Sequence, residues 1–172
     1  MKKEIEQYLK VLIGLVLFDS GNASIQWFAF GRRRLVPARS NEVKEVGEYA
    51  LHLACAWRIR TISSILVGSY DLYSLAGDPY QEVDKIDVTE PAYTESRLAE
   101  RLTTLFRDRE NAPLIVQKVV ADTVGSVRLS LSGGYLLEVF PDNSLDTEYW
   151  RFFIPNSKDP HFVVTSQGVE VG

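Results

Sequence analysis

The residue pattern predicts an α+β fold, with a largely antiparallel, strongly curved sheet or partly closed barrel of about eight strands and two helices. Three observations carry this expectation. Period-two alternation recurs along the chain, as in Val127-Arg128-Leu129-Ser130-Leu131. Only two segments show helical spacing, one at the N-terminus and one near 95–107. Strands and helices do not alternate, which argues against a doubly wound parallel sheet.

The chain has 172 residues, 45% of them hydrophobic and 24% charged, so a single domain over 1–172 can bury an ordinary core. Taken in order, Lys2 to Val11 suits a short amphipathic helix with Ile5, Leu9 and Leu12 on one stripe. Gly14 to Phe18 and Ser24 to Gly31 read as a hairpin joined by a Gly-containing loop. Arg32-Arg33-Arg34, with Arg39 nearby, reads as a solvated turn at a strand end. Glu48 to Arg60 reads as one long strand. Tyr49, Leu51, Leu53, Cys55, Trp57 and Ile59 share the core parity, and His52, Arg58 and Arg60 share the polar one. Ser64 to Gly68 returns beside it.

Residues 75–93 read as an irregular acidic connection. Thr94 is the expected N-cap of a helix over 95–107, with Leu98, Leu102, Leu105 and Phe106 as its buried stripe. Leu114 to Thr123 is apolar at both parities and reads as a central, covered strand. Val124 to Thr165 reads as consecutive antiparallel strands, turning at Gly133-Gly134 and at Pro141 to Ser144.

The chemistry-bearing motifs are missing from the sequence. It holds no phosphate-binding Gly-Lys-Ser/Thr loop, no nucleophile elbow, no Cys-x-x-Cys and no His-Glu-x-x-His. No catalytic residue, cofactor or metal is therefore expected. The one cysteine, Cys55, falls on the buried parity and reads as an inert structural thiol, in keeping with a reducing, cytoplasmic setting. A net charge of −4 and the lack of a long apolar run argue against nucleic-acid and membrane partners.

Two surfaces remain as candidates. The first is polar and cationic. It comprises His52, Arg58, Arg60, Tyr73, Arg151 and His161, with Asp71, Glu148 and Glu138 as counter-charges. Its distinctive element is a repeated pair, Trp57-Arg58 and Trp150-Arg151, in which each Trp should enter the core and each Arg face outward. The second is the acidic run Asp78, Glu82, Asp84, Asp87 and Glu90, whose charge suits a basic protein partner.

The peptides Leu51-His52-Leu53-x-Cys55-x-Trp57-Arg58-Ile59, Gly68-Ser69-x-Asp71-Leu72-Tyr73, Glu148-x-Trp150-Arg151-x-Phe153 and His161-Phe162-Val163-Val164 resemble those of a family of small uncharacterised bacterial proteins. The resemblance spans most of the chain from Gly31 onward. It implies an immunity-type protein for a secreted polymorphic toxin and carries over no catalytic residues. The expected function is accordingly that of a non-enzymatic protein-binding module. Its alternatives are a small-ligand-binding protein or enzyme with a polar pocket built from Arg58, Arg151 and His161, and a homodimer formed through an exposed sheet edge.

Overall fold

The computed structural model describes residues 1–38, 42–77 and 94–172. Its strands are β1 (Val16–Asn22), β2 (Gln26–Phe30), β3 (Arg34–Pro37), β4 (Val43–Val46), β5 (Tyr49–Leu53), β6 (Ala56–Arg60) and β7 (Ile65–Gly68), then β8 (Leu114–Ala121), β9 (Val127–Leu131), β10 (Tyr135–Phe140), β11 (Glu148–Phe153), β12 (Phe162–Thr165) and β13 (Gly168–Val171). Eleven strands make one sheet in the order β13-β12-β11-β5-β2-β1-β8-β9-β10-β6-β7, and β3 and β4 form a separate two-stranded ribbon. Neighbouring strands run antiparallel, as the alternating sequence requires. The α+β class holds. The barrel does not: β7 and β13 remain sheet edges, and the ladder is not closed.

Two sequence expectations fail in the same way. Glu48 to Arg60 is two strands, broken at Ala54-Cys55. β5 pairs with β2 and β11, whereas β6 pairs with β10 and β7. The C-terminal strands are likewise not one consecutive run. β10 pairs with β6 and β9, and the chain then crosses through Pro141 to Thr147 before β11 pairs with β5 and β12. Both breaks carry the chain between the two halves of the sheet. Two residues span only about 7 Å, so Ala54-Cys55 must bring the halves together at a corner. Phe28 of β2 meets Trp57 of β6 edge to face across that interior, with centroids 5.0 Å apart. Alternation continues through the corner because both halves face one core: Leu51, Leu53, Cys55, Trp57 and Ile59 are all buried.

Among the described residues the ladder joins the two halves at one short place, where Val16 and Leu17 of β1 pair with Ile115 and Leu114 of β8. β8 is central in the ladder, as expected, but it is not covered throughout, since Gln117 and Lys118 are exposed. α1 (Lys2–Leu9) packs on it with Ile5 and Leu9 fully buried. A 3-10 turn, Lys10–Leu12, continues that stripe with Leu12. The second helix, α2 (Arg97–Asp108), starts later than expected. Its N-cap is Ser96, whose Oγ accepts from the Ala99 N–H at 3.2 Å. Leu98, Leu102 and Leu105 are buried. The hairpin between β9 and β10 turns at Gly133 and Gly134, with φ of +73° and +80°, the left-handed pair that side chains resist.

The β3–β4 ribbon and the edge strand β13 were not foreseen. The ribbon is tied back by Arg34, whose Nη2 donates to the carbonyls of Gly47 and Pro155 at 3.2 and 3.0 Å. Among the described residues, no helix is long and apolar enough to cross a membrane.

Candidate functional site

Glu138 lies at the middle of β10, with Arg58 of β6 and Arg128 of β9 directly across from it on either side. Arg60 is two residues further along β6 on the same face. All three guanidiniums converge on the one carboxylate. Oε2 accepts from Arg58 Nε at 2.7 Å and Arg60 Nε at 2.9 Å. Oε1 accepts from Arg60 Nη2 at 2.9 Å and Arg128 Nε at 2.8 Å. Four hydrogen bonds occupy the four lone-pair sites of a carboxylate. The Glu138 side chain is 7% exposed, against 39% for Arg58 and 54% for Arg128, so the anion lies beneath its cations. The hydrogen bond from Arg60 and the charge of Arg58 hold Glu138 down at a pKa of about 2, against the opposing effect of burial.

The arrangement leaves charge unbalanced. Three arginines meet one glutamate. The remaining acid in the adjoining depression, Asp122, accepts backbone N–H groups from Val124 and Ser126 at 2.9 and 2.8 Å. Among the described residues, the Nη atoms of Arg58 and Arg128 make no hydrogen bond to the protein. Each guanidinium is thus fixed by its Nε edge and presents its outer edge to solvent. The Arg58 guanidinium also stands 5.4 Å from the Phe140 ring centre. The depression is open to solvent, about 310 Å³, and is bordered by Arg58, Arg128, Glu138, Phe140 and Val120 among others.

The other predicted cations are elsewhere. Arg151 of β11 is paired one to one with Glu148, Nε to Oε1 at 2.6 Å, with a second contact from Nη2 to Oε2. A bulge between Glu148 and Trp150 lets both side chains share the outer face despite their opposite parity. His52 of β5 is the cross-strand neighbour of Arg151. Burial, and then the Arg151 charge, push its pKa below the usual histidine value. Phe153 separates the two histidines, edge-on to His52 at 4.7 Å and stacked on His161 at 4.4 Å.

The sequence-predicted surface therefore divides. Trp57 and Trp150 are 2% and 0% exposed, and both enter the core as expected. Their adjacent arginines consequently leave from the outer faces of opposite halves. Arg58 and Arg60 are together beside β10, and His52, Arg151, Glu148 and His161 are together around β11. Asp71 belongs to neither. Its Oδ2 accepts the Gly68 N–H at 2.9 Å, and its Oδ1 lies 3.5 Å from Arg97 Nε. Tyr73 is half-exposed beside Tyr70, ring centres 5.4 Å apart. The acidic candidates Asp78, Glu82, Asp84, Asp87 and Glu90, and Arg39, lie outside the described residues.

Cys55 sits at the corner between the halves. Burial, with the Asp142 charge adding to it, raises its pKa to about 12. Such a thiol is a poor nucleophile. Among the described residues, no three of His, Cys, Asp and Glu come together in a way that could hold a metal ion. The sequence reading missed Arg128, although the Gly133-Gly134 turn fixes the hairpin register that places it opposite Glu138. Comparison with family models, curated proteins and solved structures gives no match.

Proposed function

We propose that the chain is a non-enzymatic protein-binding module, of the immunity type, that docks on a toxin through the arginine face of β9, β10 and β6. The observation that carries this is the pair of preorganised, outward-facing guanidinium edges on Arg58 and Arg128. Arginines held in place by a buried carboxylate have already lost much of the side-chain freedom that binding would otherwise cost. Their planar forks suit bidentate contacts with the Asp and Glu side chains of a partner. The depression is open to solvent and bordered by charged side chains, which suits a docking face.

This reading puts an acidic patch on the partner. A basic partner was expected from the 78–90 run, whereas the described side chains favour the opposite sign. A cytoplasmic location goes with the reading, since a reducing compartment preserves the buried thiol of Cys55.

The test is protection in cells. The protein encoded beside this gene is expressed alone, then with this chain, then with its Arg58→Ala/Arg128→Ala variant. The expected result is arrested growth, recovery, and loss of recovery. Affinity of the double variant for the purified partner should fall by about ten- to a hundredfold. A harmless neighbouring protein, or full protection by the variant, overturns the reading.

A further inference from the structure

A second cavity lies where the two sheet halves join, on a different part of the molecule from the arginine face. It is about 350 Å³ and opens beside the short β1–β8 ladder. Val16, Leu17, Phe18, Phe106, Pro113 and Leu114 give it apolar walls. Two arginines, Arg33 and Arg109, and one acid, Glu110, complete it.

The two arginines differ in what already holds them. Arg33 is engaged: its Nη1 pairs with Glu45, and its guanidinium lies over the Phe18 ring at 4.4 Å. Arg109, just past the end of α2, makes no side-chain hydrogen bond among the described residues. Its Nε is buried and has no partner. Its guanidinium stands 5.4 Å from the Tyr135 ring centre, a position that orients the group without supplying an acceptor. Because that Nε is closed to solvent, an acceptor in the cavity reaches Arg109 through its Nη atoms, which hydrogen-bond to none of the described residues.

A half-open apolar cavity of this size with one cation whose Nη atoms are unengaged has the constitution of a small-ligand site. We propose that the junction cavity binds a small amphipathic carboxylate. An aromatic ring or short acyl chain lies against Phe18, Phe106 and Leu114, and the carboxylate accepts from Arg109. The bidentate edge of the guanidinium favours a planar carboxylate, and the apolar walls favour a ligand with a hydrophobic body over a free inorganic anion. Occupation would tie the C-terminal end of α2 to β1 and β8 at the one place where the ladder between the halves is short.

The probe is 3-phenylpropionate, titrated into the full chain and followed by the amide and aromatic NMR signals of Phe18, Phe106, Arg109 and Leu114. Its neutral amide and inorganic phosphate are titrated alongside. The expected result is saturable binding of the acid, at least about tenfold weaker binding of the amide, and no saturation by phosphate. Arg109→Gln should weaken the acid by about tenfold and leave the amide unchanged, whereas Arg33→Gln should have a smaller effect because Glu45 already engages that cation. Shifts from the acid that do not saturate below about 10 mM, equal binding of acid and amide, or an Arg109→Gln variant that binds the acid like the parent would each overturn the proposal. Phosphate that saturates the same signals would overturn the assigned ligand class. The arginine-face variant Arg58→Ala/Arg128→Ala should bind the probe as the parent does, so this outcome and the docking outcome are read separately.

Discussion

The two outer faces of the sheet start from the same dipeptide and end with different electrostatics. Trp57-Arg58 and Trp150-Arg151 each send a tryptophan into the core and an arginine out. At Arg151 the counter-charge comes from the same strand through a bulge, and the pair balances one to one. At Arg58 it comes from the neighbouring strand and is shared among three arginines. What separates a neutralised ion pair from a cationic surface is therefore the register of the strands alongside. The arginine itself is common to both.

Replacing the two carboxylates makes this difference measurable. Glu138→Gln removes the anion on which three guanidiniums converge, and should cost about 2 kcal/mol in urea unfolding after allowance for the solvent that screens the partly exposed Arg58 and Arg128. Glu148→Gln breaks a more exposed pair and should cost less than about 1 kcal/mol. Equal costs would mean that sharing one carboxylate among three cations adds nothing.

Acid titration tests the same contrast. The Glu138 pKa is depressed from 4.5 to about 2 in the folded state. The unfolded chain therefore binds this proton first. The stabilisation is complete above about pH 5 and is lost as pH falls from 4.5 towards 2. The parent should lose stability over that window more steeply than Glu138→Gln. Parallel curves would show that Glu138 is not held as the geometry indicates.

The corner offers a third test, of whether the halves behave as one body. With its pKa raised to about 12, Cys55 should react with a thiol reagent about a thousandfold more slowly than an unfolded control. Its labelling should follow global unfolding with denaturant. Fast labelling in native buffer would mean that the halves part at Ala54-Cys55 without unfolding. The smallest expected effect is on His52. Removing the neighbouring cation in Arg151→Gln should raise its NMR titration midpoint towards 6.5, and Arg58→Gln should leave it unmoved. A response to Arg58→Gln would mean that the two faces are not separate.

Much of this was readable beforehand, for reasons that single residues show. The alternation named Leu51, Leu53, Cys55, Trp57 and Ile59 correctly as buried, because inward parity survives a corner when both arms face one core, whereas Tyr49 is only partly buried and Ala50, on the polar parity, is buried. The same alternation hid the corner itself. Ala54-Cys55 contains no glycine or proline, and only the partners of each arm reveal the break. The β3–β4 ribbon was missed because Arg32-Arg33-Arg34 looks like surface, while Val36 is the only buried residue among the ribbon's two strands. Arg58 and Arg60 were singled out, and Arg128 was not, because three arginines from two strands become a cluster only through pairing. Arg109 gave no local sign at all. Its isolation depends on what the tertiary fold fails to place beside it.

The crossing at Ala54-Cys55 also sets a timetable for synthesis. β5 and β6 leave the ribosome together, but each takes one partner from far downstream. Arg58 waits for Glu138, 80 residues later in sequence. At about 5–20 residues per second, that interval is about 4–16 s. During it, the Leu51, Leu53, Trp57 and Ile59 strands have apolar faces and an unfilled edge. A nascent chain of this design is most exposed to misassociation in mid-synthesis, and its last third closes both halves almost at once.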